Sequence, residues 1–337
     1  MLSRQILQRL AAAGAAAFFA AAASAQELKF ADFNAPAHPM IRHVFNPLIE
    51  DVAKATDGEV KIRLYPAGQL GQGPALQYRR VVDGIADFSF GLPGYTSSDF
   101  PGTLLIEMPG VTQDPLEATH MLWNAFPGLL EKEFARVKVL GMWANAPAMI
   151  MTSKKQVRSL DDLRGIKIRV PSAAVGKVIE AWGAAPVTMP SPAVYNALAT
   201  GVVDGILMGS SGIIPFKLHE VARYYTVNLS AGVTSFFLIM NRDSWEKLTA
   251  PQKAAIDKLT GRTVSLKAAK VYLDEGNEGI ELVRKGGKGE LVAIADSELA
   301  RFRAASGQAL DAAVAELERQ SIPARRILQA FRSGPLK

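Results

Sequence analysis

Leu160-Asp-Asp-Leu-Arg-Gly-Ile-Lys-Ile-Arg-Val-Pro171 is the stretch on which the reading of this chain turns. Ile166, Ile168 and Val170 alternate with Lys167 and Arg169, which is the period of a strand with one apolar face. Gly165 opens that strand and Pro171 ends it, because proline has no N–H to give to a ladder. Arg169 therefore falls two residues before the carboxyl end of an α/β strand, where open α/β sheets hold their ligands. A guanidinium at that place offers a planar fork of donors that fits a carboxylate. The same side chain on a solvated edge would have no such role, so its surroundings must decide.

Strand and helix signals alternate on both sides of this stretch, which argues for an α/β chain. Residues 28–33, 60–64, 86–90 and 137–142 read as strands. Met40, Val44, Leu48 and Val52 recur at spacing four in a helix that Pro47 should start or kink and Gly58 should stop. A shorter helix has Ser191 as its cap, Pro192 at its first position and Gly201 after its end. Residues 234–240 form an apolar strand able to carry the chain back toward its first half. Thr249 and Pro251 open a long helical stretch to about Arg284, with Gly261, Gly276 and Gly279 as expected kinks. Residues 291–295 read as a strand and 297–320 as a helix.

A local self-similarity supports two equivalent lobes. Gly84-Ile-Ala-Asp87 precedes the strand ending at Phe90 and Gly91, and Gly201-Val-Val-Asp204 precedes the one ending at Met208 and Gly209. In each case the glycine reads as a left-handed helix stop. The aspartate reads as a brace of the turn rather than a catalytic group.

Composition removes several functions. The chain has 337 residues, 49% hydrophobic and 21% charged, an ordinary globular balance. It has no cysteine, which excludes thiol catalysis, cysteine metal sites and disulfides. Arg4 and Arg9, the apolar run from 10 to 23 and Ala23-Ser24-Ala25 read as a signal peptide over residues 1–25, with export to the periplasm. The formal charge is +6, falling to +4 if Arg4 and Arg9 leave with that segment. The charges are interleaved along the chain, with no basic stripe of the nucleic-acid kind. A mild positive field favours an anionic solute. The four histidines, His38, His43, His120 and His219, show no metal-ligand spacing. Gly209-Ser-Ser-Gly212 lacks the glycine spacing of a nucleophile elbow. Gly68 to Gly73 fits neither a phosphate loop nor a dinucleotide fingerprint. The expectation is a protein that is not an enzyme and needs no cofactor or metal.

The Lys167-Ile-Arg-Val-Pro171 strand resembles the signature strand of TRAP-transporter solute receptors of the DctP family. So, in the family's order, do Lys61-Ile-Arg-Leu-Tyr-Pro-Ala-Gly-Gln-Leu-Gly71, Ser191-Pro-Ala-Val-Tyr-Asn-Ala-Leu198, Gly201-Val-Val-Asp-Gly205 and Met240-Asn-Arg-Asp-Ser-Trp-Glu-Lys-Leu248. The resemblance implies a two-lobed α/β fold of periplasmic-binding-protein type, with hinge strands and a long helix spanning both lobes. The lobes are expected at residues 26–147 plus 235–276 and 148–234 plus 277–322, with 323–337 as a carboxyl-terminal tail or helix. It implies a periplasmic receptor, expected to be monomeric, that captures a small organic acid and delivers it to membrane permease subunits. A receptor presenting its ligand to a sensor kinase shares the fold and site, and a secreted hydrolase would need a nucleophile and base that the histidines do not supply.

The resemblance makes Arg169 the carboxylate-binding residue, with Ser172 following on the turn into the next helix. The sialic-acid branch of the family has a second arginine, an assisting asparagine and a polar residue at positions that are here Met149, Met208 and Phe33. All three departures make the pocket more apolar, which favours a monocarboxylate over a sugar acid. Phe90, Tyr95 and Trp143 are candidates for ring contacts. The glycine-rich loop 68–73 is expected over the cleft. His38, ahead of Pro39, falls where the first loop should meet the cleft and reads first as a neutral residue at a helix entry.

Overall fold

The computed structural model describes residues 26–229 and 231–333. The expected signal peptide, residues 1–25, lies outside the described residues. In chain order the strands are β1 (Gln26–Ala31), β2 (Val60–Tyr65), β3 (Phe88–Gly91), β4 (Val137–Ala144), β5 (Ala148–Thr152) and β6 (Lys167–Val170). They continue as β7 (Ala185–Thr188), β8 (Gly205–Gly209), β9 (Tyr224–Thr226), β10 (Ser235–Asn241) and β11 (Glu290–Val292).

These strands form two sheets. The first has the order β2-β1-β3-β10-β4 and the second β11-β9-β5-β8-β6-β7. β10 runs antiparallel to β3 and β4, so the chain does return to the first sheet at residue 235. The chain crosses between the sheets at residues 145–147 and again between β9 and β10. The two crossings are joined. Asn145 N–H donates to Thr234 O at 3.0 Å, and Thr234 N–H donates to the Asn145 side-chain oxygen at 2.8 Å.

Both faces of each sheet are covered by side chains, which is why the strands read as nearly continuous apolar runs. Phe30, Phe90 and Leu238 belong to one core of the first sheet, and Phe237, Ile239 and Met142 to the other. In the second sheet, Ile168, Val170 and Leu207 face one core while Ile206 and Met208 face the opposite one. The strand period of two therefore puts Arg169 on the face away from Ile168 and Val170. Lys167, with the same parity, is exposed, but Arg169 is only 2% exposed.

The two repeated Gly-x-x-Asp segments have the same geometry. Gly84 and Gly201 take φ of +69° and +76°. The Asp87 carboxylate accepts from Lys29 N–H at 2.7 Å, and that of Asp204 from Lys167 N–H at 2.8 Å. Each aspartate braces the strand beside it.

Several local expectations are corrected. The first strand ends at Ala31, leaving Phe33 in the following loop. Ser191 does not cap its helix with its side chain; its hydroxyl turns toward Tyr95 instead. Gly261 does break the long helical stretch, but Gly276 and Gly279 lie within one helix, Arg262–Gly286. They are there for space. That helix crosses from the first sheet's core, where it buries Val264, Ala268 and Tyr272, to the second's, where it buries Val283. On the way it lies against the turn Ser210–Gly212. A Cβ on Gly276 would stand 2.7 Å from Ala146 Cβ, and one on Gly279 would stand 2.9 Å from Ser210 O.

This close approach reverses a common substitution effect. Alanine in place of a mid-helix glycine ordinarily adds about 0.5–1 kcal/mol. Gly307, within the helix Asp296–Arg319, has nothing within 4 Å of the position its Cβ would take, so Gly307→Ala should follow that rule. Gly276→Ala should instead lose about 1–3 kcal/mol through overpacking. Urea unfolding of both variants checks this, and equal shifts of the same sign would contradict it.

Candidate functional site

Where the two sheets face each other, residues from both enclose a chamber of about 450 Å³, counting all empty space out to its mouth. A wider trough of about 1,880 Å³ adjoins it. The two share Phe33, Asn34, His38 and Phe216, which therefore stand between the chamber and its approach. The glycine-rich loop borders the trough through Gln72. It is held by Arg80, whose Nη2 donates to Gly71 O and Gln72 O at 2.6 and 2.5 Å and whose Nη1 donates to Gly73 O at 3.2 Å.

Arg169 is the only arginine or lysine among the described residues lining the chamber. Its Nε donates to Met189 O at 2.9 Å and its Nη1 to Leu207 O at 3.3 Å. Those carbonyls follow β7 and lie in β8, so the strands flanking β6 hold the guanidinium in one orientation. The main chain takes up no donor of Nη2, and the Tyr95 hydroxyl stands beside the guanidinium. The contrast with Arg80 separates the roles: one fork is used up on main-chain carbonyls, while the other keeps donors in reserve. Burial lowers the Arg169 pKa, and the neighbouring Tyr95 and Glu107 raise it. An arginine starts so far above neutrality that it stays charged.

Glu107 supplies a partial counter-charge. It is fully buried, and one carboxylate oxygen accepts from Ser235 N–H and Oγ–H at 2.8 and 2.6 Å. The other, Oε2, has no hydrogen-bond partner. Burial pushes this carboxyl up to about 7, against the pull of Ser235 and Arg169.

The walls are aromatic. Phe90 stacks on Phe236 with centroids 5.5 Å apart and on Phe33 at 5.4 Å. Phe236 meets Tyr272 at 5.0 Å. Tyr95 links the lobes: its hydroxyl accepts from Ser191 N–H at 2.8 Å and pairs with Ser191 Oγ at 2.9 Å. At the far wall His38 accepts from Met40 N–H through Nδ1 at 3.2 Å, so it serves its helix entry and also lines the chamber. Burial lowers its pKa to about 4, so the ring is neutral.

Of the residues expected at the site, Arg169, Phe33, Phe90, Tyr95 and Met208 line the chamber together. Met149, Ser172 and Trp143 do not. Met149 pairs with Met208 across β5 and β8 but is packed into the core. Ser172 is fully buried and caps the helix Ala173–Ala181 by accepting from Val175 N–H at 3.2 Å. Trp143 lies one layer back, stacked 5.8 Å behind Phe90. Asn34, Asn145, Phe216, Phe236 and Tyr272 line the chamber without having been anticipated. Only Asn34 had a local signal, as a polar residue just after a strand's carboxyl end. Among the described residues there is no cluster able to hold a metal ion and no helix long and apolar enough to cross a membrane.

Known proteins share this fold. The family model for bacterial extracellular solute-binding proteins, family 7 (DctP), matches residues 30–317. The C4-dicarboxylate-binding periplasmic protein of Rhodobacter capsulatus is 26% identical over 311 residues, covering 90% of this chain and 91% of that protein. A TRAP solute-binding protein of Rhodoferax ferrireducens T118, solved with copurified benzoate, superposes with a TM-score of 0.86 at 27% identity, covering 91% of this chain and 97% of that one. A marine metagenome TRAP protein specific for aromatic acid ligands, solved with 3-hydroxybenzoate, gives 0.87 at 28% identity, covering 91% and 96%. One from Bordetella bronchiseptica, with (R)- and (S)-mandelate, gives 0.83 at 27% identity, covering 92% and 98%. With the family match over most of its length and the two-lobed fold in common, this chain belongs to family 7 of the bacterial extracellular solute-binding proteins, the DctP family.

Proposed function

We propose that this TRAP solute-binding protein captures a small monocarboxylate with an aromatic body in the periplasm and delivers it to a membrane permease. The observation that carries the reading is one charged fork, Arg169, in a chamber walled by Phe33, Phe90, Phe236 and Tyr272. A single fork pairs one carboxylate. A second carboxylate would meet no arginine or lysine there, so its charge would be desolvated with no cation to pair it. The solved relatives that hold benzoate, 3-hydroxybenzoate and mandelate each hold one ring with one carboxylate, which supports the same class here. Tyr95 and Ser191 join the lobes over the chamber, and the crossings at 145–147 and between β9 and β10 serve as its hinges.

Calorimetric titration with benzoate, mandelate, succinate and sialic acid tests the proposal. The one-ring acids should bind at least about 10-fold more tightly than succinate or sialic acid, equivalent to about 1.4 kcal/mol. Tightest binding of succinate would refute the monocarboxylate reading.

A further inference from the structure

The wall contributed by the first lobe and the long helix carries polar groups that the protein leaves without a well-formed hydrogen bond. His38 Nδ1 is occupied as an acceptor from Met40 N–H, which places the ring's single proton on Nε2. Nε2–H is thus a donor of fixed direction, and it makes no hydrogen bond. The Tyr272 hydroxyl likewise has no partner, although the residue is only 5% exposed. The Asn34 side-chain amide stands beside the buried Asp32 carboxylate, and its Nδ2 is buried without a well-formed hydrogen bond. The Asn34 main chain is tied down on both sides: N–H donates to Asp32 Oδ1 at 2.7 Å and O accepts from Ala67 N–H at 2.8 Å. The rings of His38 and Tyr272 are 6.4 Å apart and edge-on, so the groups share one neighbourhood. Buried polar groups are nearly always paired, and of these three only Asn34 Nδ2 is wholly out of solvent, while His38 Nε2 and the Tyr272 hydroxyl face the chamber. Three such groups on one wall of a binding chamber mark an unfilled partner.

We infer that the ligand carries a hydroxyl group as well as its carboxylate, received by His38 Nε2–H, the Tyr272 hydroxyl and the Asn34 amide. A hydroxyl both accepts and donates, so it satisfies the fixed donor on His38 together with an amide or phenol oxygen. A methyl group of similar size satisfies none of them. The inference rests on the monocarboxylate reading of Arg169 and extends it to hydroxylated aromatic acids. It also gives the ligand a mechanical role. Arg169 belongs to the second sheet and His38 and Asn34 to the first lobe. A molecule bonded at both ends bridges the cleft, whereas a plain aromatic acid is gripped by hydrogen bonds on one side alone.

The test compares 3- and 4-hydroxybenzoate with 3- and 4-methylbenzoate, by titration calorimetry, on the wild type, His38→Asn, Tyr272→Phe and the double variant. His38→Asn keeps an acceptor for Met40 N–H and removes the Nε2 donor; Tyr272→Phe removes only the hydroxyl. One hydroxylated isomer should bind the wild type at least 10-fold more tightly than its methyl counterpart. In the double variant that preference should fall below about 3-fold, because affinity for the hydroxylated acid drops more than that for the methylated one. Equal affinities for the pair in the wild type, or an undiminished preference in the double variant, would overturn the inference and leave the monocarboxylate reading standing. Failure of all four acids to bind the wild type would overturn both.

Discussion

Arg169→Ala is expected to weaken binding of an aromatic monocarboxylate by about 2–5 kcal/mol, the usual loss when one member of a desolvated charge pair is truncated. That corresponds to roughly 30-fold to several thousand-fold in Kd. The size follows from the surroundings. A solvated arginine would contribute little, because water competes for its donors. Arg169 is almost fully buried, two of its nitrogens are committed to Met189 O and Leu207 O, and much of the wall around it is aromatic. Its remaining donors are therefore oriented in advance, and the ligand's carboxylate finds no other cation. Arg169→Lys should recover little, since an ammonium cannot hold both carbonyls and present a planar fork. Calorimetry on folded variants, with circular dichroism as a control for folding, measures both. Affinity in Arg169→Ala equal to the wild type would remove Arg169 from the site.

Glu107→Gln should change how stability depends on pH, with an effect on the order of 3 kcal/mol between acid and alkaline limits at 1.36 kcal/mol for each pKa unit. The Glu107 carboxyl titrates at about 7 in the folded protein, against 4.5 ordinarily, because burial penalises its charge. Between those values the folded state holds a proton that the unfolded state has released. Its contribution to stability is thus complete below pH 4.5 and is lost as pH rises through about 7. Glutamine cannot ionise and escapes that loss. Over pH 5 to 8 the variant should match the wild type most closely near pH 5, gain on it up to about pH 7 and level off above that. Asp32, pushed up to about 7 by burial, acts in the same direction. His38, lowered from 6.5 to about 4, acts oppositely, adding stability as pH rises through that window. Both are present in each protein, so the difference between the two denaturation profiles isolates Glu107. A difference that stays constant from pH 5 to 8 would mean that Glu107 is ionised throughout as the counter-ion of Arg169.

The parts of the site that were legible in the sequence are those with a local cause. Arg169 was legible because strand period, Gly165, Pro171 and charge lie within seven residues of one another. Phe33 was expected there through the family resemblance, and Phe90 as a candidate ring contact at the end of a strand. Trp143 shows the limit. Trp143 and Phe236 are partners in one strand pair, and both are aromatic residues in apolar runs. Phe236 reaches the chamber while Trp143 is stacked behind Phe90. Only the order of the packed layers separates them, and no spacing along the chain encodes it.

Gly276 and Gly279 make a related point. Glycine in a helix reads as weakness, and here the same property creates room for the turn at Ser210. Whether a missing Cβ means a kink or a contact depends on what lies opposite. Ser191 was read as a cap from its neighbours, but a partner 96 residues away took its hydroxyl.

The sequence by itself determined the α/β class, the alternation of elements, the repeated glycine–aspartate turns and the strand end that carries Arg169, because each follows from period and backbone chemistry over a few residues. The tertiary structure alone decided which donors of Arg169 the main chain takes up, that Glu107 lies buried near it, and that His38, Asn34 and Tyr272 share one wall. Those properties depend on which groups lose water together. That is set by the approach of segments up to 238 positions apart, as Asn34 and Tyr272 are, and not by either segment alone.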